Sequence, residues 1–249
     1  MDWTDDGIVL SARKHGESAA VVHLMTRAHG RHAGLVRGGG GRRMRGVLQP
    51  GNQVRCVWRA RLQEHLGHFT VELVRSRAAV LLDERLPLTA LSAACALVDS
   101  MFPEREAHPG VHDDLLELFD ALARPDTWSA AYVRWEIVLL RELGFGLDLG
   151  SCAATGVRHD LVWVSPKSGR AVSADAGRPY RDRLLPLPGF LIGDAPARAA
   201  DVMAGLRLTG HFLATHGPGA GHGGLPPARD RLVAGLSRSA TTSCGINGA

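Results

Sequence analysis

The sequence predicts an α+β chain: a small closed sheet of five strands in residues 1–80, followed by a helical domain in residues 81–249. Three observations predict it. Short apolar runs alternate with tight-turn chemistry in the first 80 residues, apolar spacing changes to threes and fours from Leu81, and positive charge gathers ahead of that change. Residues 1–80 hold 13 Lys/Arg against 6 Asp/Glu, whereas the remaining 169 hold 16 against 19. A polyanion partner for the first part, and a different task for the second, follow from this asymmetry.

The strands are expected at Gly7–Arg13, Ala19–Thr26 and His32–Arg37, divided by the turn segments Lys14–Glu17 and Ala28–Arg31. After Gln49-Pro50-Gly51-Asn52, the run Val54–Leu62 alternates. Val54, Cys56, Trp58 and Ala60 fall on one face, with Arg55, Arg59 and Arg61 opposing them. Phe69–Val74 supplies the fifth strand. Five short strands with a basic connection between the third and fourth outline an OB-fold barrel, a type that binds single strands. An SH3-like barrel gives the same strand pattern.

Helices are expected at Leu86–Met101, Val111–Ala123 and Trp128–Leu143, with Pro103, Pro109 and Pro125 as breaks. The third is apolar around most of its circumference, as a central bundle helix would be, and Gly144 caps it. Ala195–His216 and Ala228–Leu236 follow, joined by the glycine-rich linker Gly217–Gly224, and the last dozen residues read as a frayed tail. With no apolar run near twenty residues and with Asp2, Asp5 and Asp6 where a signal peptide needs positive charge, the chain is expected to be soluble and cytoplasmic, without a membrane partner. Cys56, Cys95, Cys152 and Cys244 stand far apart, a spacing of reduced thiols rather than of a disulfide framework. Cys56 and Cys95 read as core.

The segment Arg37-Gly38-Gly39-Gly40-Gly41-Arg42-Arg43-Met44-Arg45 sets four arginines about a glycine run. Guanidinium forks match phosphate oxygens, and ordering four glycines is entropically costly, so a mobile phosphate-contacting loop is expected. A P-loop is excluded, because no Lys-Ser/Thr follows the glycines, and a dinucleotide fold lacks its βαβ setting. Cys152 with His159 and Asp160 lies in one short polar connection and reads as structural rather than as a nucleophile and base. The histidines show no metal-binding spacing. Trp58 and Phe69 read as core residues, with base stacking as the competing use.

The stretch Leu143–Leu187 carries a resemblance. It contains Leu143-Gly144-Phe145-Gly146-Leu147-Asp148-Leu149, Cys152-Ala153-Ala154-Thr155-Gly156, Ser165-Pro166-Lys167-Ser168-Gly169-Arg170 and Gly177-Arg178-Pro179-Tyr180. Together with the Gly7–Ser11 opening, the His15–Ser18 turn, Leu48-Gln49-Pro50-Gly51 and Leu225-Pro226-Pro227, it resembles the RecO family of bacterial DNA repair proteins over nearly the whole chain. The resemblance implies an N-terminal OB-fold and a helical C-terminal domain with a small zinc-finger-like insertion, at about 150–190 here. It also implies a non-enzymatic activity: annealing complementary strands and, with RecR, helping to load RecA onto strands coated by single-stranded DNA-binding protein, which is engaged through its C-terminal tail. Where zinc-bearing members have two CxxC pairs, this chain has Cys152 with Thr155 and Ser173 with Ala176, so no zinc or other cofactor is expected.

The expected function is therefore a nucleoid-associated recombination mediator that binds single- and double-stranded DNA. Candidate phosphate contacts are Lys14, Arg37, Arg42, Arg43, Arg45, Arg55, Arg59 and Arg61 on the barrel, and Lys167, Arg170 and Arg178 beyond it. The alternatives are an RNA-binding or translation-associated OB-fold protein and, last, a hydrolase using Cys152 or the histidines.

Overall fold

The structure, a computed structural model, describes residues 1–62, 64–217 and 224–245, with side chains described as far as residue 240. Most of the expected linker, the Cys244 thiol and the final four residues lie outside the described residues. The chain divides into two compact units, one of Met1–Ala123 with Pro226–Arg229, the other of Arg124–Leu225 with the chain from Asp230 on. The last barrel strand ends at Arg75 and helices follow from Arg77, while the first compact unit continues to Ala123, beyond the expected boundary at residue 80.

In the first unit, β1 (Asp2–His15), β2 (Ala19–Thr26), β3 (Gly30–Val36), β4 (Gln53–Arg59) and β5 (His68–Arg75) close a barrel in the order β1-β2-β3-β5-β4. This is OB-fold topology. The long β1 makes closure possible: Asp2–Ile8 pair with β4, Gly7–His15 pair with β2, and a bulge between Val9 and Ser11 bends the strand between its two partners. A parallel contact between Leu35 and His68 joins β3 to β5. Strand alternation sends Val9, Val22, Leu24, Val54, Cys56, Trp58 and Phe69 inward as one core, so Trp58 and Phe69 are core residues. Burial pushes the Cys56 thiol up to about 12, so it stays protonated.

Two expected boundaries move. The strand β1 begins five residues earlier than Gly7, because Asp2, Asp5 and Asp6 sit on a half-exposed strand instead of a frayed end. The strand β4 stops at Arg59, which leaves Arg61 in the β4–β5 connection and not on the strand face.

Helices α2 (Arg77–Val80), α3 (Arg85–Met101) and α4 (Pro109–Leu122) complete this unit. Asp99 of α3 joins it to the barrel: its carboxylate accepts from Ser11 Oγ at 2.8 Å and Arg31 Nε at 3.0 Å, and meets His23 Nδ1 at 2.6 Å. Burial opposes ionisation of Asp99, yet the contacts from His23, Ser11 and Arg31 outweigh it and hold the carboxyl at about 2.

The second unit contains α5 (Trp128–Glu142), a sheet of β6 (Leu161–Val164), β7 (Ala171–Ser173) and β8 (Leu185–Pro186), the short α6 (Ala174–Gly177), α7 (Ala199–His216) and most of α8 (Pro227–Gly245). Helix α5 buries Tyr132, Val133, Trp135, Leu139 and Leu140, as its apolar circumference requires. Gly144, at φ 85°, ends it as expected. Of the expected frayed tail, the residues up to Gly245 continue α8, and the final four lie outside the described residues.

Candidate nucleic-acid interface

The glycine-arginine segment folds differently from the expected loop. Residues Arg42–Val47 form a short helix, αL, between β3 and β4, and Met44 stands three and four residues before Val47 and the capping Leu48. Leu48, 3% exposed, enters the barrel core, and Met44 and Val47 pack against it. That anchoring turns Arg42, Arg43 and Arg45 outward, all three exposed.

The glycines are packed rather than idle. Gly38 has φ 70°, and a Cβ on Gly39 would stand 2.8 Å from the Ala20 Cβ and 2.9 Å from the Val36 carbonyl. The N–H groups of Gly39, Gly40 and Gly41 donate to the carbonyls of Val36, Ser18 and Gly38. They are therefore spent on backbone carbonyls, and only the arginine side chains of the segment stand ready to meet an anion.

Two clefts flank this segment. One, of about 510 Å³, is lined by Lys14, Arg45, Gly39, Gly40 and Gln49. The other, of about 470 Å³, is lined by Arg37, Arg59, Met44, His68 and Thr70. Lys14, far from the others in sequence, comes here because it pairs with Ala20 on β2, which in turn pairs with Val36 beside Arg37.

The 13 basic residues of the first 80 separate by partner. Arg27 pairs with Asp113, Arg31 with Asp99 and Glu104, and Arg75 and Arg77 both with Asp120. Arg55 lies 3.4 Å from Asp6 and Arg59 lies 3.9 Å from Asp2, across the β1–β4 ladder. Among the described residues, Arg13, Lys14, Arg37, Arg42, Arg43, Arg45 and Arg61 make no ion pair. All but Arg61 belong to the end of β1 or to the connection from β3 to β4. Arg13 was not among the expected contacts. Its signal was adjacency to Lys14 at the first turn.

In the second unit, Lys167 stands exposed at the β6–β7 turn without an ion pair among the described residues. Arg170 donates to Asp148 at 3.3 Å and Arg178 to Asp175 at 3.0 Å. The nearby knuckle is built around a single thiol. Cys152 Sγ accepts from the Ser173 N–H at 3.3 Å and the Ser173 hydroxyl at 3.4 Å, while the Gly156 N–H donates to the Cys152 carbonyl at 2.8 Å. Burial works to raise the thiol, but donors from Ser173, Thr155 and Ala154 outweigh it and bring it down to about 6. These residues do not fit zinc: Thr155, Ser173 and Ala176 supply no thiolate, and no metal-binding group of three His, Cys, Asp or Glu occurs among the described residues. The knuckle's turns close through hydrogen bonds to the sulfur and the backbone. Cys152, 1% exposed, is also sealed from any substrate.

No helix among the described residues is long and apolar enough to cross a membrane. Residues 1–77 match the family model for the Recombination protein O N terminal, and residues 84–224 match that for the Recombination protein O C terminal. The DNA repair protein RecO of Rhodospirillum centenum is 58% identical over 245 residues, covering 98% of both chains. The protein of the same name from Cereibacter sphaeroides is 52% identical over 238 residues, 96% of this chain and 99% of its own. That of Rhodospirillum rubrum is 51% identical, over 96% of this chain and 97% of its own. The OB-fold barrel, the helical part and these matches over nearly the full length agree, and the chain belongs to the RecO family.

Proposed function

We propose that this chain acts in DNA repair and homologous recombination as a non-enzymatic mediator that holds single- and double-stranded DNA by its phosphates. The observation that carries the reading is the gathering of Arg13, Lys14, Arg37, Arg42, Arg43 and Arg45, free of ion pairs among the described residues, about two clefts of an OB-fold barrel. Such a surface neutralises phosphates without reading base sequence, which suits a protein that pairs any two complementary strands. Arg55, Arg59 and Arg61 are weaker contributors in this reading, and Lys167, Arg170 and Arg178 are further candidate phosphate contacts of the second unit.

Family membership supports partnership with RecR, and with single-stranded DNA-binding protein through its C-terminal tail, ahead of RecA loading at the nucleoid. A cleft of about 200 Å³ in the second unit, lined by Val202, Met203 and Leu236, offers a short hydrophobic tail an apolar seat. The test is annealing of complementary strands coated with single-stranded DNA-binding protein, with and without RecR and without ATP. The reading expects annealing, a preference for DNA over RNA in competition, and loss of the effect when the tail is deleted. Equal or stronger binding of RNA, without annealing, would favour an RNA-binding role instead.

A further inference from the structure

We propose that the barrel carries a second site, an aromatic pocket that takes a single unstacked nucleobase, at the end of β1 opposite Lys14. The proposal rests on the nucleic-acid reading above and adds to it a contact with the base. Trp3 and Lys14 lie near opposite ends of the 14-residue β1, which separates this pocket from the Lys14–Arg45 cleft.

The pocket is a cavity of about 410 Å³ lined by Trp3, His29, His32, Trp58 and Arg105. Trp3 and His29 stack with ring centroids 4.0 Å apart and planes 7° from parallel. Trp58 lies 5.7 Å from Trp3 at 19°. His32 stands nearly perpendicular to both tryptophans, at 5.1 Å and 4.8 Å. A parallel heteroaromatic stack with one half-exposed member is a platform that a planar base extends.

His32 is the residue that asks for a ligand. It is 3% exposed, lines the cavity, and neither ring nitrogen has a hydrogen-bond partner among the described residues. An apolar side chain would fill the same space without leaving polar atoms unpaired. Burial first, and then the charge of Arg105, lower the His32 pKa to about 4, so the ring is neutral at pH 7. A neutral imidazole offers one N–H and one bare nitrogen, and base edges carry both complements.

Arg105 is held at the cavity by an unusual backbone. Its φ is 66°, a region that non-glycine residues seldom adopt, and its guanidinium donates to the carbonyls of Glu64 and His65 at 3.1 and 3.0 Å. Its Nε has no partner among the described residues. The pocket is also continuous with a phosphate contact along the chain. Trp58 and Arg59 are neighbours on β4 with side chains on opposite faces, so Trp58 lines this pocket while Arg59 lines the outer cleft with Arg37 and His68.

The test compares two oligodeoxynucleotides of equal length at fixed salt, one bearing bases and one abasic throughout, titrated against the full chain. The base-bearing strand is expected to bind at least about fivefold more tightly and to quench tryptophan fluorescence. Trp3→Ala should abolish that preference while leaving affinity for the abasic strand unchanged. His32→Leu should reduce the preference with melting temperature kept or raised, because it removes unpaired buried nitrogens. If Trp3→Ala does not fold, His32→Leu decides alone. Salt-dependent binding of both strands with equal affinity, or a His32→Leu protein with full preference, would overturn the pocket only. Failure to bind either strand would overturn the function beneath it.

Discussion

The αL end of the barrel and its β1–β4 outer face both carry arginines, yet they differ in what those arginines can do. Arg42, Arg43 and Arg45 extend from a helix whose first turn has no acidic residue, whereas Arg55 and Arg59 face Asp6 and Asp2 across a strand ladder. A guanidinium already beside a carboxylate must exchange that partner for a phosphate, and it releases fewer counterions in doing so. Charge counted along a sequence is therefore not charge available to a ligand. Pairing across the fold decides which part of it is free.

The largest expected difference lies in DNA affinity. Replacing Arg42, Arg43 and Arg45 together with Gln should lower the slope of log affinity against log salt by roughly 2, and Arg55→Gln with Arg59→Gln by less than about 1. Equilibrium titration across salt concentrations reads both.

The next contrast sets buried charge against surface charge. Asp99→Asn should cost about 2 kcal/mol of stability at neutral pH and leave the salt slope unchanged, since Arg31 is already committed inside the fold. Because the folded pKa of Asp99 is depressed, its contribution is present above the unfolded value of about 3.8 and disappears as pH falls through about 2. Urea melts of the native and Asn proteins should therefore converge on acidification.

A smaller effect separates a packed glycine run from a flexible one. Gly39→Ala should destabilise by about 1 kcal/mol through its clash with Ala20 and Val36. In a merely mobile loop the same change stabilises by restricting the unfolded chain, so the sign of the shift in melting temperature decides. The smallest effect comes from removing the competing carboxylates. Asp2→Asn with Asp6→Asn should raise DNA affinity a few-fold at low salt and change stability by less than about 1 kcal/mol.

Much of this was legible in the sequence. Turn residues and alternation located all five strands, and inward alternation placed Cys56 and Trp58 in the core. What was not legible depended on distant partners. The helix αL was hidden by its glycines and arginines, although Met44, Val47 and Leu48 have helical spacing, and only the barrel core beneath makes six residues worth ordering. The early start of β1 was masked by Asp2, Asp5 and Asp6, which suit an end until the β4 ladder pairs them. The neutralisation of Arg27, Arg31, Arg75 and Arg77 required Asp99, Glu104, Asp113 and Asp120, which are supplied by α3, α4 and the connection between them. His32 and Trp3 offered no local signal, because their meaning arises only where β1, β3 and β4 bring rings together.

The central claim is that unpaired cations around αL supply the grip on DNA, and the salt dependence of single-strand binding tests it most directly. The account predicts a steep slope for the unaltered chain, a loss of roughly 2 for the Arg42, Arg43 and Arg45 replacement, and a smaller loss for the Arg55 and Arg59 replacement. An unchanged slope in the first variant, or a larger loss in the second, would contradict it.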